Sequence, residues 1–191
     1  MTQPSLLHRS MDAAWPPSAA PEGVSAVLGY VGGSRASHVW TPGQWRPFAH
    51  LRQFPVVVPD ITRAPGPQAL EAVQAVKLLG WSDEMSGAEQ RAIIFDLEDQ
   101  ANAAWYVEAA RLVLEHGFMP VVYGSMSTVL TNAASDVLVA EWDDKAVIPP
   151  GQTIHGKQDQ ANVDFMSTVV DYSVLDDWLY HRGGVGARHG A

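Results

Sequence analysis

The 191-residue chain contains no cysteine, so disulfides and thiolate metal sites are excluded and the redox compartment cannot be read from it. Positive charge is also scarce. Twelve Lys and Arg stand against twenty-one Asp and Glu, for a net charge of −9, and the acids are spread along the chain. That balance argues against nucleic acid as a partner and against adhesion to anionic membranes. No apolar run approaches the length of a membrane span, and none follows a basic start, so a Sec-type leader is not expected. There is no repeat of fixed period. No glycine-rich phosphate loop follows the first strand, no His-Glu-x-x-His is present and no Gly-x-Ser-x-Gly elbow occurs; Ser125 in Tyr123-Gly124-Ser125-Met126-Ser127 lacks the second glycine. An open doubly wound sheet, the runner-up architecture, and zinc-hydrolase and serine-hydrolase chemistry are therefore disfavoured, and no cofactor is expected.

What is present is enough hydrophobic residue, 47% of the chain, for one substantial core. The expected strands are Leu6–Met11, Val24–Val31, Phe54–Asp60, Ala92 onward, Met119–Tyr123, Val137–Trp142, Thr153–Gln158 and Val169–Tyr172. Between them, helices are expected at Pro67–Leu79 and Ala101–His116, with Gly80 and Gly117 as stops. Short helices are expected after Thr41-Pro42 and near Thr128–Ala134. Apolar strands alternating with helices indicate parallel crossover units. Eight of them indicate an α/β fold, a compact (β/α)8 TIM-like barrel, although such barrels usually need about 250 residues. Some helices must then be shortened to loops. One domain is expected over 1–182, with 183–191 a flexible Gly-rich tail.

The stretch Ala92-Ile93-Ile94-Phe95-Asp96-Leu97-Glu98-Asp99 organises this reading. Strand alternation puts Ile94, Asp96 and Glu98 on one face and Phe95 and Leu97 on the other. Two acids at i and i+2 have Cα atoms roughly 6.5 Å apart, close enough for each to raise the cost of ionising the other. Acids recur at the strand ends as Asp12, Asp60, Glu141, Asp143 and Asp171, and active sites of such barrels sit at the C-terminal ends of the strands. A hard cation held by Asp12, Asp60, Asp96, Glu98 and Asp171 is the chemical rival.

The order of these motifs resembles the family-twenty-five glycoside hydrolases, the phage- and bacterium-type lysozymes, and the related glycoside-hydrolase-like barrel domains of actinobacteria and their phages. Asp96-Leu97-Glu98 resembles the family's Asp-x-Glu, Pro120 to Ser125 its strand-five Pro-x-x-Tyr-x-Ser, and Ala140-Glu141-Trp142 its strand-six ending. Gln158 stands where a Trp-Gln-Tyr motif falls, and Val170-Asp171-Tyr172-Ser173 resembles the closing Val-Asp-x-Asn. Ser173 replaces the Asn, Gln158 lacks flanking aromatics, and Asp12 does not follow a Gly-x pattern.

The resemblance implies action on N-acetylated cell-wall glycan of the peptidoglycan type. Glu98 would be the general acid, its pKa raised by Asp96, with Asp171 and Asp12 across the mouth to hold positive charge or orient an N-acetyl group. Tyr123, Trp142, Asp60, Gln158 and Tyr30 would bind substrate, with no metal. The partner is cell-wall polysaccharide. A non-catalytic barrel that binds glycan or builds a phage particle or cell-envelope complex is the alternative, with the protein carried in a virion or released by lysis.

Overall fold

The computed structural model of the chain describes residues 6–81, 90–98, 102–131, 136–149 and 154–185. Eight strands close into a barrel: β1 (His8–Asp12), β2 (Ala26–Gly33), β3 (Arg52–Val58), β4 (Ala92–Asp96), β5 (Met119–Ser125), β6 (Val137–Ala140), β7 (Ile154–Phe165) and β8 (Thr168–Leu175). Hydrogen bonding runs in sequence order around the ring, and β8 returns to β1. The pairs from β1–β2 through β6–β7 are parallel.

The last strand departs from an all-parallel barrel. β8 is antiparallel to both β7 and β1. The reason is the connection: β7 and β8 are joined only by Met166 and Ser167, and a parallel crossover needs a dozen residues or more. Both turn residues have positive φ, 47° and 65°, the twist that suits a two-residue hairpin. Neither is Gly, Asn or Asp, so the turn carries none of the sequence signals that usually mark it. β7 therefore runs twelve residues, well past the expected Gln158.

Among the described residues, helices cover only part of the barrel. α1 (Pro42–Trp45) opens with a capping box between Thr41 and Gln44 and runs into a 3-10 turn at Arg46–Phe48. α2 (Pro65–Leu78) and α3 (Ala103–Glu115) follow β3 and β4, and the Asn102 side chain caps α3 by accepting from the Trp105 N–H. α4 (Met126–Thr131) follows β5; the end of the expected Thr128–Ala134 helix lies outside the described residues, as do Thr153 and Asp99. Residues 13–25 join β1 to β2 without a helix. No helix among the described residues is long and apolar enough to cross a membrane.

Strand alternation splits the core in two. Leu28, Phe54, Val56, Ile94, Val121, Leu138 and Leu175 fill the barrel. Val27, Val57, Ile93, Phe95, Leu97 and Val122 face outward, packing with Val73 and Val76 of α2 and Trp105, Ala109 and Val113 of α3. Trp40, Trp45, Trp81 and Trp105 belong to this outer layer. Each fully buried Leu, Ile, Val or Phe contributes about 1.5–3 kcal/mol.

The segment expected as a tail begins in the fold. α5 (Asp177–Tyr180), capped by the Asp176 side chain on the Leu179 N–H, sends Leu179 into the inner core. β9 (Gly184–Val185) then pairs with Arg52 and Gln53 at the start of β3. A Cβ on Gly184 would lie 2.2 Å from the Trp81 ring, so only glycine fits. Residues 183–185 thus belong to the domain, because β4 first meets β3 at Val56 and leaves the start of β3 unpaired on that side.

Candidate active site

The inward side chains at the C-terminal ends of the parallel strands enclose a cavity of about 890 Å³. Its floor is Leu28, Val56 and Ile94, the upper layer of the barrel core. Asp12, Asp96, Glu98, Asp171, Tyr30, Tyr123, Trp142 and Gln158 all line it. Eight of the nine residues singled out from sequence therefore meet in one place.

The exception is Asp60. Its carboxylate accepts from the Thr62 hydroxyl at 2.6 Å and the Thr62 N–H at 3.0 Å, and its backbone is held by Gln68 of α2. These bonds hold its pKa below the ordinary value. Asp60 shapes the turn from β3 into α2 and lies outside the cavity lining. An acid at a strand end also serves as turn chemistry, and sequence alone does not separate the two uses.

Asp171 reaches the mouth by a route opposite to the expected one. It does not end a parallel strand; β8 descends from the mouth, and register places Asp171 directly opposite Asp12 of β1. Directly paired antiparallel residues have Cα atoms about 4.5–5.5 Å apart. Two carboxyls at that spacing cannot both ionise cheaply. Burial, then the charge of Asp171, drives the Asp12 pKa well above the ordinary value. Asp171 is raised as well, by burial, against bonds from the Asn162 N–H and Gln158 that favour its charged form.

Gln158, buried inside the barrel, ties the site together. Its side-chain oxygen accepts from the Tyr123 hydroxyl at 2.6 Å and from the Trp142 indole N–H at 2.5 Å. Its amide donates to Asp12 at 3.1 Å and Asp171 at 3.3 Å. The indole is a donor only, so the oxygen must face it and the NH2 must face the acids. The aromatics absent beside Gln158 in sequence are supplied in space by β5 and the end of β6. Tyr30 and Tyr123 hydroxyls are both pushed upward, first by burial and next by the charge of Asp12, and the Tyr123 hydroxyl donates to Gln158.

Trp142 is gripped from both sides. Glu141 and Asp143, its neighbours, meet the buried Lys157 ammonium at 3.4 and 2.6 Å. The Glu141 N–H donates to the Gln158 carbonyl. Consecutive β7 residues thus hold alternate residues of the segment after β6, and Trp142, 60% exposed, stands at the cavity rim.

On β4, the Asp96 carboxylate accepts from the Glu98 N–H at 3.2 Å, and the Glu98 carbonyl accepts from Thr128. Leu97 between them points into the outer core. Ser173 lies below Asp171, paired in register with Ser10. Among the described residues no three His, Asp or Glu side chains are gathered as a metal-ligand set.

Sequence reasoning missed Trp15, Arg35 and His38, which also line the cavity. Reading strand ends only for acids overlooked a cation at the end of β2. Trp15 sits in a Pro-rich loop, where an aromatic carries no periodic signal.

No protein-family model matches the chain, and no curated protein sequence matches it. Among solved structures, the 1.07 Å crystal structure of an uncharacterized B. stearothermophilus protein is similar, with a TM-score of 0.69. The match covers 93% of this chain and 100% of the other at 14% identity. The two chains share a fold. Identity at that level speaks for architecture only.

Proposed function

We propose that the protein is a glycoside-hydrolase-like enzyme acting on N-acetylated cell-wall glycan of the peptidoglycan type, with Glu98 as general acid, on a shortened relative of the (β/α)8 barrel. The observation that carries this reading is the meeting of the Asp96-x-Glu98 pair with the Asp12–Asp171 pair around one cavity rimmed by tryptophan. Glycosidic cleavage needs a proton for the departing oxygen and negative charge beside the oxocarbenium-like centre. In this scheme Glu98 gives its proton to the leaving oxygen as the C–O bond breaks. The substrate's own N-acetyl oxygen forms the new bond to the anomeric carbon, oriented by Asp96, one of the recognised substrate-assisted routes. Water then opens that intermediate, with Glu98 taking a proton back. Asp12 and Asp171, with both pKa values raised by burial, take up a proton more readily than ordinary carboxyls, which relieves their mutual repulsion across the mouth.

A second reading is supported by Gln158. Its four bonds saturate the amide and tie Asp12 and Asp171 to a neutral partner, which equally suits a non-catalytic glycan-binding barrel of a phage particle or cell-envelope complex. Incubation with purified peptidoglycan separates the two. The enzyme releases soluble fragments with new reducing ends; the binding module sediments with the polymer and releases none.

A further inference from the structure

The cavity reaches beyond the acids to the loop that follows β1. Trp15 lies there, 59% exposed and part of the cavity wall. Its ring meets His38 edge-on with centroids 4.8 Å apart, and His38 meets Tyr30 edge-on at 5.8 Å. The hairpin between β7 and β8 pins its backbone: the Thr168 hydroxyl donates to the Trp15 carbonyl at 2.9 Å. Ser18 meets the Met166 sulfur at 3.9 Å. Folding thus fixes this indole in place yet leaves most of it in water, which forgoes the stabilisation that burying it would give.

Both exposed tryptophans line the cavity that holds the acids, Trp15 from the loop after β1 and Trp142 from the segment after β6, where Gln158 ties its indole to the Asp12–Asp171 pair.

We infer that Trp15 is a second sugar-stacking platform, so that the site takes an oligosaccharide laid across the mouth from Trp15 to Trp142. The inference rests on the glycan reading above and narrows its substrate class to chains long enough to touch both rings. Indole faces meet the apolar faces of sugar rings, while the carboxylates meet the polar edges of a sugar held between them. A mono- or disaccharide engages one end only.

Calorimetric titration with N-acetylglucosamine oligomers of two to six units tests it, in the Glu98→Gln background so that the ligand stays intact. Affinity should rise with length until both rings are covered. Adding Trp15→Ala should weaken the hexamer about tenfold and leave the dimer unchanged, and Trp15→Tyr should restore most of the loss. Because Trp15 is mostly in water, the thermal midpoint should hold; the tyrosine variant retains an aromatic ring if the alanine variant unfolds. Equal affinity of Trp15→Ala and its parent for the hexamer, or equal losses for dimer and hexamer, would overturn the platform and leave the glycan reading standing. Failure of every oligomer to bind the parent, with no binding to peptidoglycan, would overturn both.

Discussion

Replacing Gln158 with leucine probes the account where it is most specific. The two side chains have similar volume, so little cavity is created and the change is almost purely one of hydrogen bonding. Four bonds vanish, but their partners do not suffer alike. Trp142 stands at the rim, where water can accept its N–H, and Asp171 keeps the Asn162 N–H at 2.6 Å. Tyr123 and Asp12 lose their side-chain partner inside the barrel. Each orphaned buried polar group costs about 1–3 kcal/mol, which sets a loss of about 2–6 kcal/mol. Asp12, its pKa raised, can take a proton and donate to Asp171, which draws the value towards about 2–4 kcal/mol. Urea unfolding at pH 7 measures it, with an unchanged m-value as the sign that only stability has moved. Gln158→Glu is the companion. It still accepts from Tyr123 and Trp142 but sets a third carboxyl against two others, so its folded pKa rises. Its penalty is then absent below the unfolded value of about 4.3 and grows as pH rises above it. A Gln158→Leu loss below about 1 kcal/mol would refute the claim that this amide organises the site.

Asp12→Asn should raise stability at neutral pH and change it little below about pH 3.8. The folded acid holds its proton more tightly than the unfolded one, so wild-type stability falls as pH rises from there through the raised pKa, and the amide escapes that loss; thermal scans from pH 3 to 8 follow the difference. At the opposite end of the barrel, burial disfavours charge on His155, but Asp136 and Asp176 outweigh it and lift its pKa to about 9. The resulting stabilisation is full below about pH 6.5 and lost as pH rises towards 9; after allowance for solvent screening it is worth about 1–2 kcal/mol. The gap between wild type and His155→Gln should close over that window, and a gap constant with pH would contradict it. Lys157→Met should free the segment around Trp142, seen as red-shifted and more quenchable emission assigned by difference against Trp142→Phe, whereas Lys157→Arg should keep it in place.

The barrel was legible because its parallel strands are short apolar runs, each ended by a turn or an acid, and because α2 and α3 have clear apolar faces. The direction of β8 was not legible. Strand alternation is the same for either direction, and Met166-Ser167 bears no hairpin signature. Asp171 was found nonetheless, since register with Asp12 returns it to the mouth from above. Asp60 shows the opposite case: its strand-end position matched the pattern, while Thr62 two residues later carried the true signal of a local turn. Gln158 was read as one ligand among several. Its role as a four-bond hub depends on groups from β1, β5, β8 and the end of β6, and no local pattern records that. Trp15 escaped for the same reason, because its neighbours His38 and Thr168 lie far away in sequence.

The central claim is that Glu98 supplies the proton for glycan cleavage, and one comparison tests it most directly. Wild type and Glu98→Gln are incubated with the same purified peptidoglycan, and new reducing ends are counted while urea unfolding confirms that both are folded. The account predicts steady release by the wild type and a loss of at least about a hundredfold in the variant, the lower range for a general acid, with stability unchanged or higher. Equal release by the two proteins would contradict the assignment of Glu98, and release by neither would contradict the enzyme itself.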